Sequence, residues 1–176
     1  MEYVVGCTHL DDIGITAYRR CTTVDAMNAS IVERWNSRIT EDDFVYVLGD
    51  FASGRVEYWQ HLLNGRKLLI KGNHDPVSVY RAGFVEVVES RHLILPAVDE
   101  TAEPEAVWLS HYPYASWPGK SRGCFHLHAH SHGKASAARA RRTGSRIADM
   151  SIDGWANEWP LALNDVITIL KGTSHD

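Results

Sequence analysis

Three short apolar segments, residues 2–7, 44–48 and 67–70, each run straight into a polar turn, and stretches of helical spacing separate them. Between the first two, Val24, Met27, Ile31, Trp35 and Ile39 recur every three or four residues. That spacing predicts a helix over 24–39, with Thr22 or Thr23 placed to cap its start. Between the second and third, Val56, Trp59 and Leu63 share one face, with Ser53 read as the opening of the helix and Gly65 as its stop. The order strand, helix, strand, helix, strand implies right-handed crossovers and a mainly parallel sheet. Further strand candidates at 84–88, 92–95, 106–109, 125–127, 147–152 and 166–170 predict a second sheet packed on the first. With 176 residues, no internal repeat and no long linker, one α/β domain over residues 1–176 is expected.

The composition, 44% hydrophobic and 23% charged, is that of a chain that folds. A net charge of -4 gives no global attraction to nucleic acid or to an anionic membrane. No apolar run is long enough to span a bilayer, so no membrane partner is expected. Residues 1–5 lack the features of a secretory signal, and the three cysteines (Cys7, Cys21, Cys124) are odd in number and widely spaced. Both points favour a reducing, cytoplasmic setting over a disulfide framework.

Histidine is the unusual component: there are ten, and His126, His128, His130 and His132 fall at every second position. Parallel sheets carry reactive side chains on loops at the carboxyl ends of their strands. Those positions here hold Cys7 and His9; Gly49 and Asp50; Gly72, Asn73, His74 and Asp75; Ser110 and His111; and His130 and His132. Imidazole suits zinc, iron, manganese and nickel, whereas carboxylate and amide oxygens suit harder ions. Gly49 and Gly72 let the chain turn sharply beside Asp50 and Asn73.

In this order the segments resemble the five motifs of the calcineurin-like metallophosphoesterase superfamily: Asp-x-His, Gly-Asp, Gly-Asn-His-Asp/Glu, a lone His, and Gly-His-x-His. The tail, with Asp149, Asp153, Trp155 and Pro160, resembles small bacterial and phage members. The resemblance implies a four-layer α/β/β/α sandwich of two packed mixed sheets. It also implies two divalent metal ions, drawn from manganese, iron, zinc and nickel. Asp50 would bridge them, with Cys7, His9 and His132 on the first ion and Asn73, His111 and His130 on the second. A metal-bridging hydroxide would attack a phosphoester, such as a nucleotide or a nucleic-acid end. His74 would assist the leaving group, and Asp75 would fix the orientation of His74.

Two positions depart from the family pattern. Ala129 stands where the family has Gly, a mild change if the backbone there is not left-handed. Cys7 stands where the family has an Asp ligand. It is either a buried small hydrophobe, a thiolate ligand favouring softer ions, or a position for which Asp11 or Asp12 substitutes. The second ligand set therefore matches its motifs without substitution, whereas the first depends on Cys7.

Other features have two readings each. His126 and His128 share the alternation without a motif role, and read as surface histidines or as supports of the ligands. Tyr112, Tyr114 and Trp117 form either a wall for a base or ring, or packing beneath a loop. The basic stretch 134–146, with Lys134, Arg139, Arg141, Arg142 and Arg146, is either a guide for a polyanion or a solvated loop. Two rival functions follow. A degenerate relative with one metal or none would act as a binding scaffold, and a nucleic-acid binder would use the basic stretch.

Overall fold

The computed structural model describes residues 1–97, 103–134, 146–155 and 158–172. In chain order the strands are β1 (Glu2–Val5), β2 (Phe44–Val47), β3 (Arg66–Ile70), β4 (Glu86–Val88), β5 (Ser90–Leu95), β6 (Glu105–Ser110), β7 (Phe125–His128), β8 (Ile147–Asp149) and β9 (Leu161–Ala162). The helices are α1 (Ile13–Arg19), α2 (Val24–Arg38), α3 (Val56–Leu62) and α4 (Leu163–Lys171). One sheet has the order β4-β3-β2-β1-β9, its first four strands parallel and β9 antiparallel on β1. The other has the order β5-β6-β7-β8, with β5 antiparallel to β6 and the rest parallel. The chain is thus an α/β fold of two mixed sheets, with four helices among the described residues.

Local chemistry accounts for most of these boundaries. Thr23 accepts a hydrogen bond from the Ala26 amide at 3.1 Å and opens α2, which buries Met27, Ile31 and Trp35 in the core. The strands of the first sheet are nearly continuous apolar runs because both faces are covered. Residues from both sheets and from α2, α3 and α4 contribute to one buried apolar cluster.

Several segments differ from the sequence expectation: the strand read at 147–152 ends at Asp149, and β9 carried no strand signal. Residues 166–170 form part of α4, not a strand. Leu163, Val166, Ile167 and Leu170 are its buried residues, the spacing of one helical face, and that face packs on β1 and β9. The β-branched run at Val166, Ile167 and Thr168 disguised this period. Ser53 does not open α3. Its amide donates to the Leu10 carbonyl, and the helix begins at Val56 after a left-handed Arg55. Helix α1 was not foreseen; it buries no residue, and Asp12 caps it through the Gly14 amide at 2.8 Å. Its apolar signal is correspondingly weak.

The two sheets meet at their carboxyl ends. The Gly6 amide donates to the Met150 carbonyl, the Ile152 amide donates to the Gly6 carbonyl, and a parallel bridge joins Gly6 to Ser151. The loops after β1, β2 and β3 therefore open beside those after β6, β7 and β8.

On β7, Phe125 and Leu127 belong to the shared core, and the alternate face carries His126 and His128. Both histidines are buried, so the surface reading is wrong for each. Trp117 stacks 4.8 Å from His126, and Ser110 lies 2.8 Å from its Nε2. Burial, followed by the neighbouring His128, pushes the His126 imidazole down to about 3. The folded chain then takes up this proton later than the unfolded chain as the pH falls. Stability from this group is complete above the usual histidine value and declines from about pH 6.5 toward 3, by at most about 1.4 kcal/mol per pH unit. His126→Gln is expected to flatten this slope in urea unfolding of the metal-free chain between pH 7 and 5. An unchanged slope would show that His126 does not set it.

Candidate metal centre

Six loops converge where the sheets meet, and the backbones of those after β1, β2 and β7 are strained there. Cys7 (φ 54), His9 (φ 53), Asp50 (φ 52), His130 (φ 66) and His132 (φ 48) all lie in the left-handed region. Non-glycine residues in such conformations persist only where the surroundings over-determine them, and they cluster at functional sites. Two glycines allow the closest approach. A Cβ on Gly49, itself at φ 80, would lie 2.4 Å from His111 Nδ1, and one on Gly72 would lie 2.3 Å from Asp50 Oδ1. Neither position has room for any other residue.

Three imidazoles are locked in the same sense. His9 Nδ1 donates to Asp12 Oδ2 at 3.0 Å, His132 Nδ1 to Asp153 Oδ2 at 2.7 Å, and His111 Nδ1 to the Leu48 carbonyl at 2.8 Å. Each acceptor carries no proton to give, so Nδ1 bears the hydrogen and Nε2 presents a lone pair. The lone pairs face further acceptors. His9 Nε2 lies 3.4 Å and His111 Nε2 3.5 Å from Asp50 Oδ2, and His111 Nε2 is 3.0 Å from Asn73 Oδ1. His9 Nε2 is also a buried nitrogen without a hydrogen-bond partner. Acceptors facing acceptors in a buried site repel one another unless a cation lies between them.

The possible ligand atoms fall into compact groups. Cys7, His9 and His132 bring theirs within 4.8 Å of one another, as do Cys7, Asp50 and His111, and also His9, Asp12 and His74. Cys7, read from the sequence as the weak point, thus belongs to two of the three groups. It is fully buried, and its Sγ accepts the His130 amide at 3.2 Å. Burial pushes the thiol up, against an opposing hydrogen bond from Ser151. His130 is in none of these groups; its ring lies at the rim, 5.1 Å from His111. Ala129 is not left-handed, and a Cβ on Gly6 would lie 2.5 Å from the Ala129 Cβ. The missing glycine of the last motif is therefore offset by one on β1's end.

Asp75 does not orient His74. Its carboxylate accepts the amides of Asp50 (2.9 Å), Phe51 (2.7 Å) and Gly72 (2.8 Å), pinning the second motif to the third. Burial pushes this carboxyl up, and the three amides partly offset that shift. His74 is exposed; its amide donates to Asp50 Oδ1 at 2.8 Å, and its ring meets that of His9 edge-on at 5.2 Å. Asp11 does not reach the centre, because Arg55, Trp59 and Asn28 hold its carboxylate. Asp12 faces the centre through His9. Burial raises the Asp12 carboxyl, but the His9 N–H and the Gly14 amide hold it below the usual range.

One supporting residue, Arg19, carried no motif signal. Arg19 donates to both Asp153 oxygens at 2.9 Å and to the Cys7 and Thr8 carbonyls at 2.6 and 2.7 Å. It thereby ties the first motif to the tail residue that orients His132. Burial opposes ionisation of Asp153, but the bonds to His132 and Arg19 hold its carboxyl below the usual range.

The aromatic run divides between its two readings. Tyr112 lies 4.6 Å from the His130 ring and is 44% exposed, whereas Trp117 is buried and donates to the Cys124 carbonyl. Of the basic stretch, Arg139, Arg141 and Arg142 lie outside the described residues, as do residues 135–140 and Gly144, whose small side chains predict a loop. Lys134 sits over the Tyr18 ring, and Arg146 over Phe125.

No family model matches the chain. It is similar to the Gene 66 protein of Mycobacterium phage L5, with 32% identity over 108 residues and 52% of each chain covered. An uncharacterized protein of Methanocaldococcus jannaschii is 32% identical over 80 residues, covering 42% of this chain and 46% of that protein. The chain thus spans about half the length of each of these two relatives (52% and 46%). The Gene 66 protein of Mycobacterium phage D29 is 27% identical over 157 residues, covering 74% of this chain and 77% of that one. A crystal structure of a protein of unknown function from Aquifex aeolicus superposes with a TM-score of 0.70 at 19% identity, covering 96% of this chain and 98% of that one. This last likeness shows a shared fold.

The role found for Asp75 is testable without metal. Asp75→Asn places an amide NH2 against backbone donors, and is expected to lower the unfolding free energy by about 3 kcal/mol. Urea unfolding in chelator measures this, and a loss below about 1 kcal/mol would contradict the pinning role.

Proposed function

We propose that the chain is a metal-dependent phosphoester hydrolase of the calcineurin-like metallophosphoesterase kind, with the two-sheet sandwich of that family. The observation that carries this reading is the set of inward Nε2 lone pairs facing the Asp50 carboxylate and the Asn73 amide oxygen. This donor set fits divalent cations of the manganese, iron, zinc and nickel group. Cys7, His9 and His132 would hold one ion, Asn73, His111 and His130 a second, and Asp50 both. Bound there, the ions would supply Lewis-acid charge to a phosphoryl oxygen and make water nucleophilic near neutral pH.

The remaining work belongs to the chain's own residues. Exposed His74, held through its amide by Asp50 and through its ring by His9, would pass a proton to the leaving oxygen at the rim. Tyr112, half-exposed beside His130, would form one wall for the group the phosphate carries. Asp12 and Asp153 would keep His9 and His132 in the tautomer that a cation needs. A nucleotide or a nucleic-acid end is the substrate class that this open rim suits.

The scaffold reading draws on Cys7, a buried thiol already engaged with the His130 amide. Metal analysis separates the two. About two ions per chain is expected, together with cleavage of an aryl phosphate or a bis-aryl phosphate in manganese. His74→Ala should lower kcat by about 10²–10⁴ with metal content unchanged. One ion or none, with no turnover across manganese, zinc, nickel and iron, would replace the enzyme by the scaffold. Asp12→Ala should weaken manganese binding by about 10–100-fold in calorimetry, because it frees the His9 ring. Unchanged affinity would remove Asp12 from the site's support.

A further inference from the structure

We infer that the chain has a second binding site, separate from the metal centre, that accepts an aromatic phosphate of nucleoside monophosphate size. It is a cavity of about 490 Å³ between α2, the turn after α1 and the tail segment that carries Asp153. That volume lies in the range of small-molecule sites.

The lining specifies the ligand chemistry. Met27, Ile31, Ile152 and Trp159 give an apolar floor and wall that match a flat ring. Around this floor stand Arg20 and Arg34, with the hydroxyls of Thr22 and Ser30 between them in sequence. Arg34 lies over the Trp159 ring at 5.7 Å. The exposed Arg20 side chain has no hydrogen bond or ion pair among the described residues. The acid in the lining, Asp153, is already neutralised by Arg19 and bonded to His132. Arg20 therefore brings uncompensated positive charge to the cavity, and a guanidinium fork suits phosphate. An apolar floor bordered by a free guanidinium takes a ring that carries a phosphate better than it takes either part alone.

Arg19 and Asp153 form the wall between this cavity and the metal centre. All of the Arg19 donor atoms are engaged: Nε by Asp153, Nη1 by the Thr8 carbonyl and the Met27 sulfur, and Nη2 by the Cys7 carbonyl and Asp153. Arg19 is thus structural, which leaves Arg20 as the anion's contact.

Cys21 offers a local probe. It lines the cavity half-buried, whereas Cys7 and Cys124 are buried elsewhere. Alkylation of Cys21 by iodoacetamide, followed by peptide mass spectrometry on the full chain in chelator, reports occupancy. Adenosine monophosphate at about ten times its dissociation constant should slow the reaction about tenfold. Adenosine alone and inorganic phosphate alone should protect far less. Arg20→Ala and Arg20→Gln should both lose the protection while keeping the unfolding midpoint, and Asn73→Ala at the metal centre should retain it. Protection absent at millimolar nucleotide, equal with adenosine or phosphate alone, unaltered in both Arg20 variants, or dependent on added metal would each overturn the site.

Discussion

Everything at the centre depends on how the carboxyl ends of β1 and β8 are joined. Gly6 exchanges hydrogen bonds with Met150 and Ile152, so two sheets that could have opened in different directions open in the same one. Residue size enforces the join. The Gly6 position lies against the Ala129 Cβ, where a second Cβ would be 2.5 Å away. Motif residues far apart in sequence then share one rim: Cys7 and His9 from the first sheet face His130 and His132 from the second. A sandwich without this bridge could carry the same side chains and never assemble them.

The strain at the rim makes sense in that setting. Five candidate ligands sit at positive φ without being glycine, each at a cost of order 1–3 kcal/mol. Fixed partners offset the cost. Asp75 takes three amides from two loops, Arg19 grips two carbonyls of the first motif, and each locked imidazole gives its Nδ1 hydrogen to a specific acceptor. The result is a set of side chains oriented before any ligand arrives. Preorganisation of this kind lets a site bind a cation without spending that binding on ordering the loops.

Much of the fold was legible because its signals are local. The Val24–Arg38 helix shows its period and its cap in consecutive residues, and the first-sheet strands read as apolar runs. Elsewhere two local signals compete. In α4 the β-branched Val166, Ile167 and Thr168 argue for a strand, while the spacing of Leu163, Val166, Ile167 and Leu170 argues for a helix, and packing on β1 and β9 decides. Helix α1 has no fully buried residue, so it has little apolar period to read.

The centre shows the same division between what is local and what acts through space. The candidate ligands stand next to strand ends and turn residues, so position alone marks them. Their supports do not. Arg19 is separated from Asp153 by more than half the chain, and the pair becomes meaningful only once β1 and β8 are joined. Asp75 was visible within its motif, but its neighbour in sequence suggested the wrong partner, since the amides it holds come mostly from the preceding strand's loop. Cys7 illustrates the point most sharply. Its identity argued against a complete centre, yet its sulfur lies among His9, His132, Asp50 and His111, where a carboxylate ligand would also have to lie. Position in the fold, set by the Gly6 bridge, keeps Cys7 at the centre whatever its side chain.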